Sequence, residues 1–190
     1  MKKQFAYMLG LSSLVFASCL VTMSETETDT AAGLNGGFET VKNGKPVNWM
    51  LNTNATTGEG DFTWSLDTND VKEGNQSLFC EVKACSDKGG RFSPGIAQEI
   101  PAKEGDEFTV SFWMKVEEGR FMVNLFPVSA TEQSKGVVLT QHDVTSTEWV
   151  HYTYTLKIPS NRNALRMEFT LLSKGRYHLD GVQIQKSSLS

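Results

Sequence analysis

From Phe108 to Leu172 one device recurs, the alternation of apolar and polar side chains with period two. Phe108, Val110, Phe112, Met114 and Val116 alternate with Thr109, Ser111, Trp113 and Lys115. Tyr152, Tyr154, Leu156 and Ile158 alternate with His151, Thr153, Thr155 and Lys157, and Leu165, Met167, Phe169 and Leu171 with Arg166, Glu168, Thr170 and Leu172. Successive side chains of a strand point to opposite faces, so each run describes a strand with one face in a core. Turn-forming clusters separate the runs: Lys103-Glu104-Gly105-Asp106, Glu117-Glu118-Gly119, Pro159-Ser160-Asn161-Arg162-Asn163 and Ser173-Lys174-Gly175. No stretch of twelve or more residues carries a clean helical stripe. The pattern predicts an all-β fold, an antiparallel β-sandwich.

The first eighteen residues belong to a different design. Met1-Lys2-Lys3 precedes the apolar run Phe5–Phe16, too short to span a bilayer as a mature helix, and together they read as an export signal. Ala17-Ser18 comes directly before Cys19 in a pattern that resembles a bacterial lipobox, which implies acylation of Cys19 and a lipoprotein held at the outer membrane. Ordinary signal cleavage near Ala17 or Ser18 is the alternative. Residues 19–33 contain Ser24-Glu25-Thr26-Glu27-Thr28-Asp29-Thr30, polar and acidic with no core pattern, and read as a flexible tether reaching roughly 20 Å. Asp29-Thr30-Ala31 also resembles the O-glycosylation triplet of some Bacteroidetes.

Residues 34–190 are long enough for one domain with a sizeable core. Without residues 1–18 the chain carries 16 Lys and Arg against 22 Asp and Glu, a net charge of −6, and no basic cluster, so nucleic acid is excluded as a partner class. Cys80 falls on the apolar phase of the strand pattern Ser77–Ala84. Cys85 lies roughly 16 Å further along an extended chain, whereas a disulfide needs Cα atoms within about 7 Å, so two unpaired thiols are expected. His142, His151 and His178 have no metal-ligand spacing, and no nucleophile elbow, phosphate loop or dinucleotide fingerprint is present. The expectation is a protein that is not an enzyme.

Two signatures stand at opposite ends. Asn35-Gly36-Gly37-Phe38-Glu39 opens the domain, and Tyr177-His178-Leu179-Asp180-Gly181-Val182-Gln183-Ile184 closes it, with a carboxylate inside an apolar strand. Such a group needs a partner, because an unpaired buried charge is costly. Between them, in order, come Gly44-Lys45-Pro46-Val47-Asn48-Trp49, Val71–Leu78, Ile100–Lys115, Glu148–Tyr154 and Leu165-Arg166-Met167. This succession resembles the carbohydrate-binding modules of families four, nine and twenty-two, which implies a galactose-binding-domain-like jelly roll over the whole domain. In those families the positions matching Glu39 and Asp180 commonly help hold a structural Ca²⁺, with backbone carbonyls that Gly36-Gly37 would turn toward it and oxygens from the Glu73-Gly74-Asn75 turn. The alternative is that both acids bond backbone amides or a lysine without metal.

Binding a polysaccharide or oligosaccharide requires flat aromatic faces against sugar C–H surfaces and planar polar groups for hydroxyls. Trp64, in the loop-rich stretch 50–70, is expected as an exposed platform, and Trp113, opposite the Phe112/Met114 face, as a residue lining the concave sheet. Trp49 and Trp149 read as packing. Asn124, His151, Arg166 and Glu168 supply the polar groups; Arg166 and Glu168, two apart, point the same way and either grip vicinal hydroxyls or form a surface ion pair. The resulting expectation is a non-catalytic glycan-binding lipoprotein, periplasmic or cell-surface facing. The alternatives are a structural or protein-interaction module of a surface complex and, behind it, a jelly-roll hydrolase or lyase.

Overall fold

The computed structural model describes residues 34–53, 60–87, 93–129, 138–144 and 147–187; the export segment, Cys19 and the tether lie outside them. Three short strands come first: β1 (Val41–Lys42), β2 (Lys45–Pro46) and β3 (Met50–Leu51). They are followed by β4 (Asp61–Asp67), β5 (Ser77–Ala84), β6 (Gly95–Pro101), β7 (Glu107–Val116) and β8 (Gly119–Val128). The last four are β9 (Val138–Val144), β10 (Val150–Lys157), β11 (Ala164–Leu171) and β12 (Gly175–Lys186). β1 and β2 make a hairpin whose two turn residues, Asn43 and Gly44, have φ of 53° and 74°. That pair of left-handed conformations is what a two-residue type I′ turn demands, and Asn-Gly is the sequence that adopts it most readily.

The remaining strands form two five-stranded antiparallel sheets, ordered β10-β7-β12-β5-β4 and β3-β6-β11-β8-β9. The predicted sandwich is therefore present, and its layers follow from the alternation. Val110, Phe112 and Val116 of β7 are fully buried against Phe121, Val123 and Leu125 of β8 and Met167 of β11. The ring of Phe112 meets that of Phe169 edge-on at 4.6 Å, joining one sheet to the other. Each such side chain contributes roughly 1.5–3 kcal/mol by leaving water. The polar phase of the same strands makes two outer faces on opposite sides of the molecule.

β12 occupies the middle of the first sheet, and its pairing with β7 shifts register between Asp180 and Gln183. Gly181, at φ 54°, makes the irregularity possible. Cys80 is buried in β5 and Cys85 lies just past its end, both as free thiols, as their spacing predicted. Burial pushes both thiols above their ordinary range, which makes them poor nucleophiles.

Candidate functional site

The motif 35–39 is a piece of scaffold, residue by residue. The Asn35 side chain donates to the carbonyls of Thr40 and Val47 (2.8 and 3.0 Å) and accepts the Thr40 amide (2.8 Å), while its own carbonyl receives the indole N–H of Trp49 at 3.0 Å. The Gly36 carbonyl accepts the amide of Val182 at 3.0 Å, which ties the first described segment to β12. Phe38 holds φ at 59°, an unusual conformation for a bulky residue, with its side chain fully buried beside Trp49. Trp49 is packing, as its sequence context indicated.

Glu39 and Asp180 both turn to the loop 72–76, and each meets N–H groups there. Asp180, fully buried, accepts the amides of Lys72 and Glu73 on Oδ2 (2.9 Å each) and that of Gly181 on Oδ1 (2.7 Å). Burial pushes its carboxyl above the ordinary range, and the three amides pull it back. Glu39 accepts the amides of Asn75 and Gln76 on Oε1 (2.7 and 3.3 Å) and the Asn75 side chain on Oε2 (3.2 Å). The Asn75 amide above all holds Glu39 below its ordinary value.

This arrangement does not fit a Ca²⁺ ion. The cation needs six or more oxygens around one point, and here N–H donors present their positive ends to both carboxylates. Among the described residues no three His, Cys, Asp or Glu side chains gather as a ligand set. The expected result is a melting temperature that stays the same, within error, in excess chelator and in millimolar CaCl₂. A calcium-dependent rise of several degrees in a thermal melt would show that the ion rearranges these groups.

The six residues read as ligand-contacting do not form one site. Trp113 and His151 sit side by side on the outer face of the first sheet, in register on β7 and β10 with ring centroids 4.5 Å apart. The segment 67–76 folds over this face. Lys72 places its ammonium 4.0 Å from the Trp113 ring centroid, and Glu73 accepts the Trp113 indole N–H at 3.1 Å. Asp70 pairs with Lys115 and accepts the Trp149 indole N–H (3.0 Å), and Asp67 meets buried His178 at 3.1 Å. The Asn69 amide and then His178 hold Asp67 low; at Asp70, Lys115, His178 and Trp149 outweigh a burial that would raise it. Trp113, read from the sequence as lining the concave sheet, is thus a docking post for the protein's own loop, and it lies in a different sheet from Arg166.

Arg166 and Glu168 lie on β11 in the second sheet, and their outer face is different in kind. Glu168 stands in register between Asn124 of β8 and Ala97 of β6, with Met50 of β3 beyond; Arg166 stands between Phe126 and Glu99. The Arg166 Nε lies 3.4 Å from Glu168 Oε2, and the guanidinium sits 5.9 Å from the Phe126 ring centroid. Among the described residues Asn124 Oδ1 is buried with no hydrogen-bond partner, a costly state for a carbonyl oxygen unless a ligand or water reaches it. Met50, at 49 % exposure, borders the patch. Phe126 and Met50 were not singled out in the sequence, although Phe126 carried a signal: it is an aromatic on the polar phase of β8, two residues from Asn124.

Trp64 is neither in a loop nor fully exposed. It lies on β4 with Phe62 and Leu66, partly buried against the core, its indole N–H on the Asn52 carbonyl at 2.8 Å. Its alternation partners pull it inward, which corrects the expectation of a free platform.

No family model and no curated protein matches this sequence. Solved structures do match. The chain is similar to a family four carbohydrate-binding module (TM-score 0.59, 15% identity, 80% of this chain and 98% of that one). It is also similar to the CBM22-1 xylan-binding domain of Paenibacillus barcinonensis Xyn10C (TM-score 0.56, 15% identity, 82% of this chain and 94% of that one). A third match is the enzymatically active domain of bacteriophage CBA120 tailspike protein 4 (TM-score 0.56, 16% identity, 77% of this chain), of which it spans only 21%. At these identities the likeness is one of fold: the chain is a β-sandwich jelly roll of the kind that carbohydrate-binding modules share.

Proposed function

We propose that this protein is a non-catalytic glycan-binding module that takes its ligand on the outer face of the β3-β6-β11-β8-β9 sheet. The observation that carries this reading is the Arg166–Glu168–Asn124 group, where a buried unpartnered carbonyl adjoins a guanidinium and a carboxylate, flanked by the apolar Phe126 and Met50. Planar polar groups that read hydroxyls beside apolar surface that takes C–H faces suit a sugar polymer. The solved structures with this fold include a xylan-binding domain and a module bound to β-1,4-galactotriose, which supports the same ligand class. With Cys19 acylated, the module would hold polysaccharide near the outer membrane at the end of its acidic tether.

Affinity electrophoresis through gels containing xylans, glucans, galactans and host glycans is the direct test. At least one polymer retards the mature chain, and Arg166→Ala or Glu168→Ala weakens that binding about 10- to 100-fold, the range for losing a hydrogen bond to a charged group. Uniform mobility in every gel would count decisively against the proposal. It would favour a structural or protein-interaction module in a surface complex, a second reading that draws on one observation. Trp113 and Trp149 give their indole N–H to Glu73 and Asp70 of the segment 67–76 that folds over the first sheet, so neither serves there as a free aromatic platform.

A further inference from the structure

A groove of about 460 Å³ opens where β3 and β4, the edge strands of the two sheets, approach the β1–β2 turn. Its lining includes Asn43, Lys45, Leu51, Thr53, Phe62 and Trp64. The volume lies in the range of small-molecule sites, roughly 300–1,000 Å³. Phe62 and Trp64 are among the residues lining it, and both are held. Phe62 is 4 % exposed in the core, and Trp64 is tethered by its indole N–H to Asn52. With that N–H already engaged, the Trp64 ring offers the groove only carbon surface.

The rim is polar and comes from separate elements. Asn43 and Lys45 reach it from the hairpin turn, whose left-handed residues set its shape, and Thr53 and Thr63 add hydroxyls. A fixed aromatic surface under a rim of amide, ammonium and hydroxyl groups matches the two aspects of a sugar ring, an apolar C–H face and an equator of hydroxyls. A bare hydrophobic ligand would make no use of the polar rim, and the volume is that of a small-molecule site. β6 and β3 lie between Arg166 and Glu168 of β11 and the groove; on β3, Met50 stands in register with Ala97 and Leu51 lines the groove.

We infer that this groove is a second sugar-binding site, which takes a single terminal or branch unit of a glycan independently of the polymer face. The inference deepens the glycan reading by adding a site, and relies on that reading only for the class of ligand. Two variants separate the sites. Asn43→Gly with Lys45→Ala strips the rim while leaving a residue at ease with positive φ in the turn. Arg166→Ala with Glu168→Ala strips the face.

The probes are galactose, xylose, glucose, mannose, glucuronic acid and their disaccharides, titrated into the mature chain and followed by the four indole N–H resonances in ¹⁵N–¹H spectra. Trp64→Phe assigns the Trp64 signal, and thermal melts confirm that every variant folds. At least one sugar shifts the Trp64 indole signal in a saturable way; the rim variant weakens that binding at least tenfold, and the face variant leaves it unchanged. Absence of any sugar-dependent Trp64 shift, or unaltered affinity in the rim variant, overturns the inference. If polysaccharide retardation persists in that case, the face reading stands and only the groove fails; if both signals are absent, both readings fall together.

Discussion

Replacing Asp180 with alanine lowers the stability of the domain by about 2–4 kcal/mol, a fall in melting temperature of roughly 5–15 °C for a domain of this size. The magnitude follows from what the carboxylate holds. It is fully buried and collects three amides, two of them from Lys72 and Glu73, more than a hundred residues away in the chain. Truncation orphans all three, but at different cost. The Gly181 amide stays buried and loses its partner outright. Those of Lys72 and Glu73 belong to exposed residues that water reaches, so their loss is partly repaired. Relief of a buried charge works in the opposite direction, as the upward displacement of the Asp180 carboxyl shows. These offsets keep the figure below three full desolvation penalties. Asp180→Asn falls between, because an amide side chain keeps one acceptor oxygen and turns an N–H₂ toward at least one N–H. Urea titrations of the three proteins measure this order directly, and an alanine variant as stable as the parent would show that the 72–76 loop is held by something else.

The same loop marks the limit of what was legible in the sequence. Period-two alternation tells which side chains enter a core, and it placed Phe112, Met167 and Cys80 correctly because burial is a local consequence of the pleat. It cannot tell which of two sheets a strand joins. Trp113 and Arg166 both occupy the polar phase of a good strand, yet β7 pairs with β10 and β12 while β11 pairs with β6 and β8. Those long-range pairings put the two side chains on opposite sides of the molecule. Nor does the pattern show that residues 67–76 return to cover Trp113, since this depends on Asp67, Asp70 and Lys72 meeting His178, Lys115 and Trp113 across the fold. Trp64 differs, because the local signal was present: it shares a phase with Phe62 and Leu66, and that phase faces inward. The end motifs were legible as scaffold, and the structure shows why: Gly36 binds Val182 of β12, Phe38 and Glu39 bind Asn75 and Gln76 just ahead of β5, and Asn35 braces the segment 40–49 between them.

Within that junction two adjacent glycines have opposite tolerances. A Cβ at Gly36 would lie 1.8 Å from the carbonyl oxygen of Val182 and 2.8 Å from its carbonyl carbon. The obstacle is backbone, and it belongs to a residue whose amide is bound to the Gly36 carbonyl at 3.0 Å, so it cannot move aside without loosening that bond. Gly36→Ala therefore costs about 3 kcal/mol or more, the upper end of the usual overpacking range, with a melting temperature lower by roughly 6–12 °C. At Gly37 the nearest atom to a Cβ is the Glu39 Cγ at 3.7 Å, an ordinary contact, and the residue is not among those with positive φ. Gly37→Ala is expected to change stability by less than about 1 kcal/mol, with a small gain possible from a stiffer unfolded chain. Chemical denaturation of the two variants side by side decides the point. Equal losses would mean that the pair serves flexibility in general, whereas a loss confined to Gly36 fixes its role as the place where the start of the domain is pressed against its last strand.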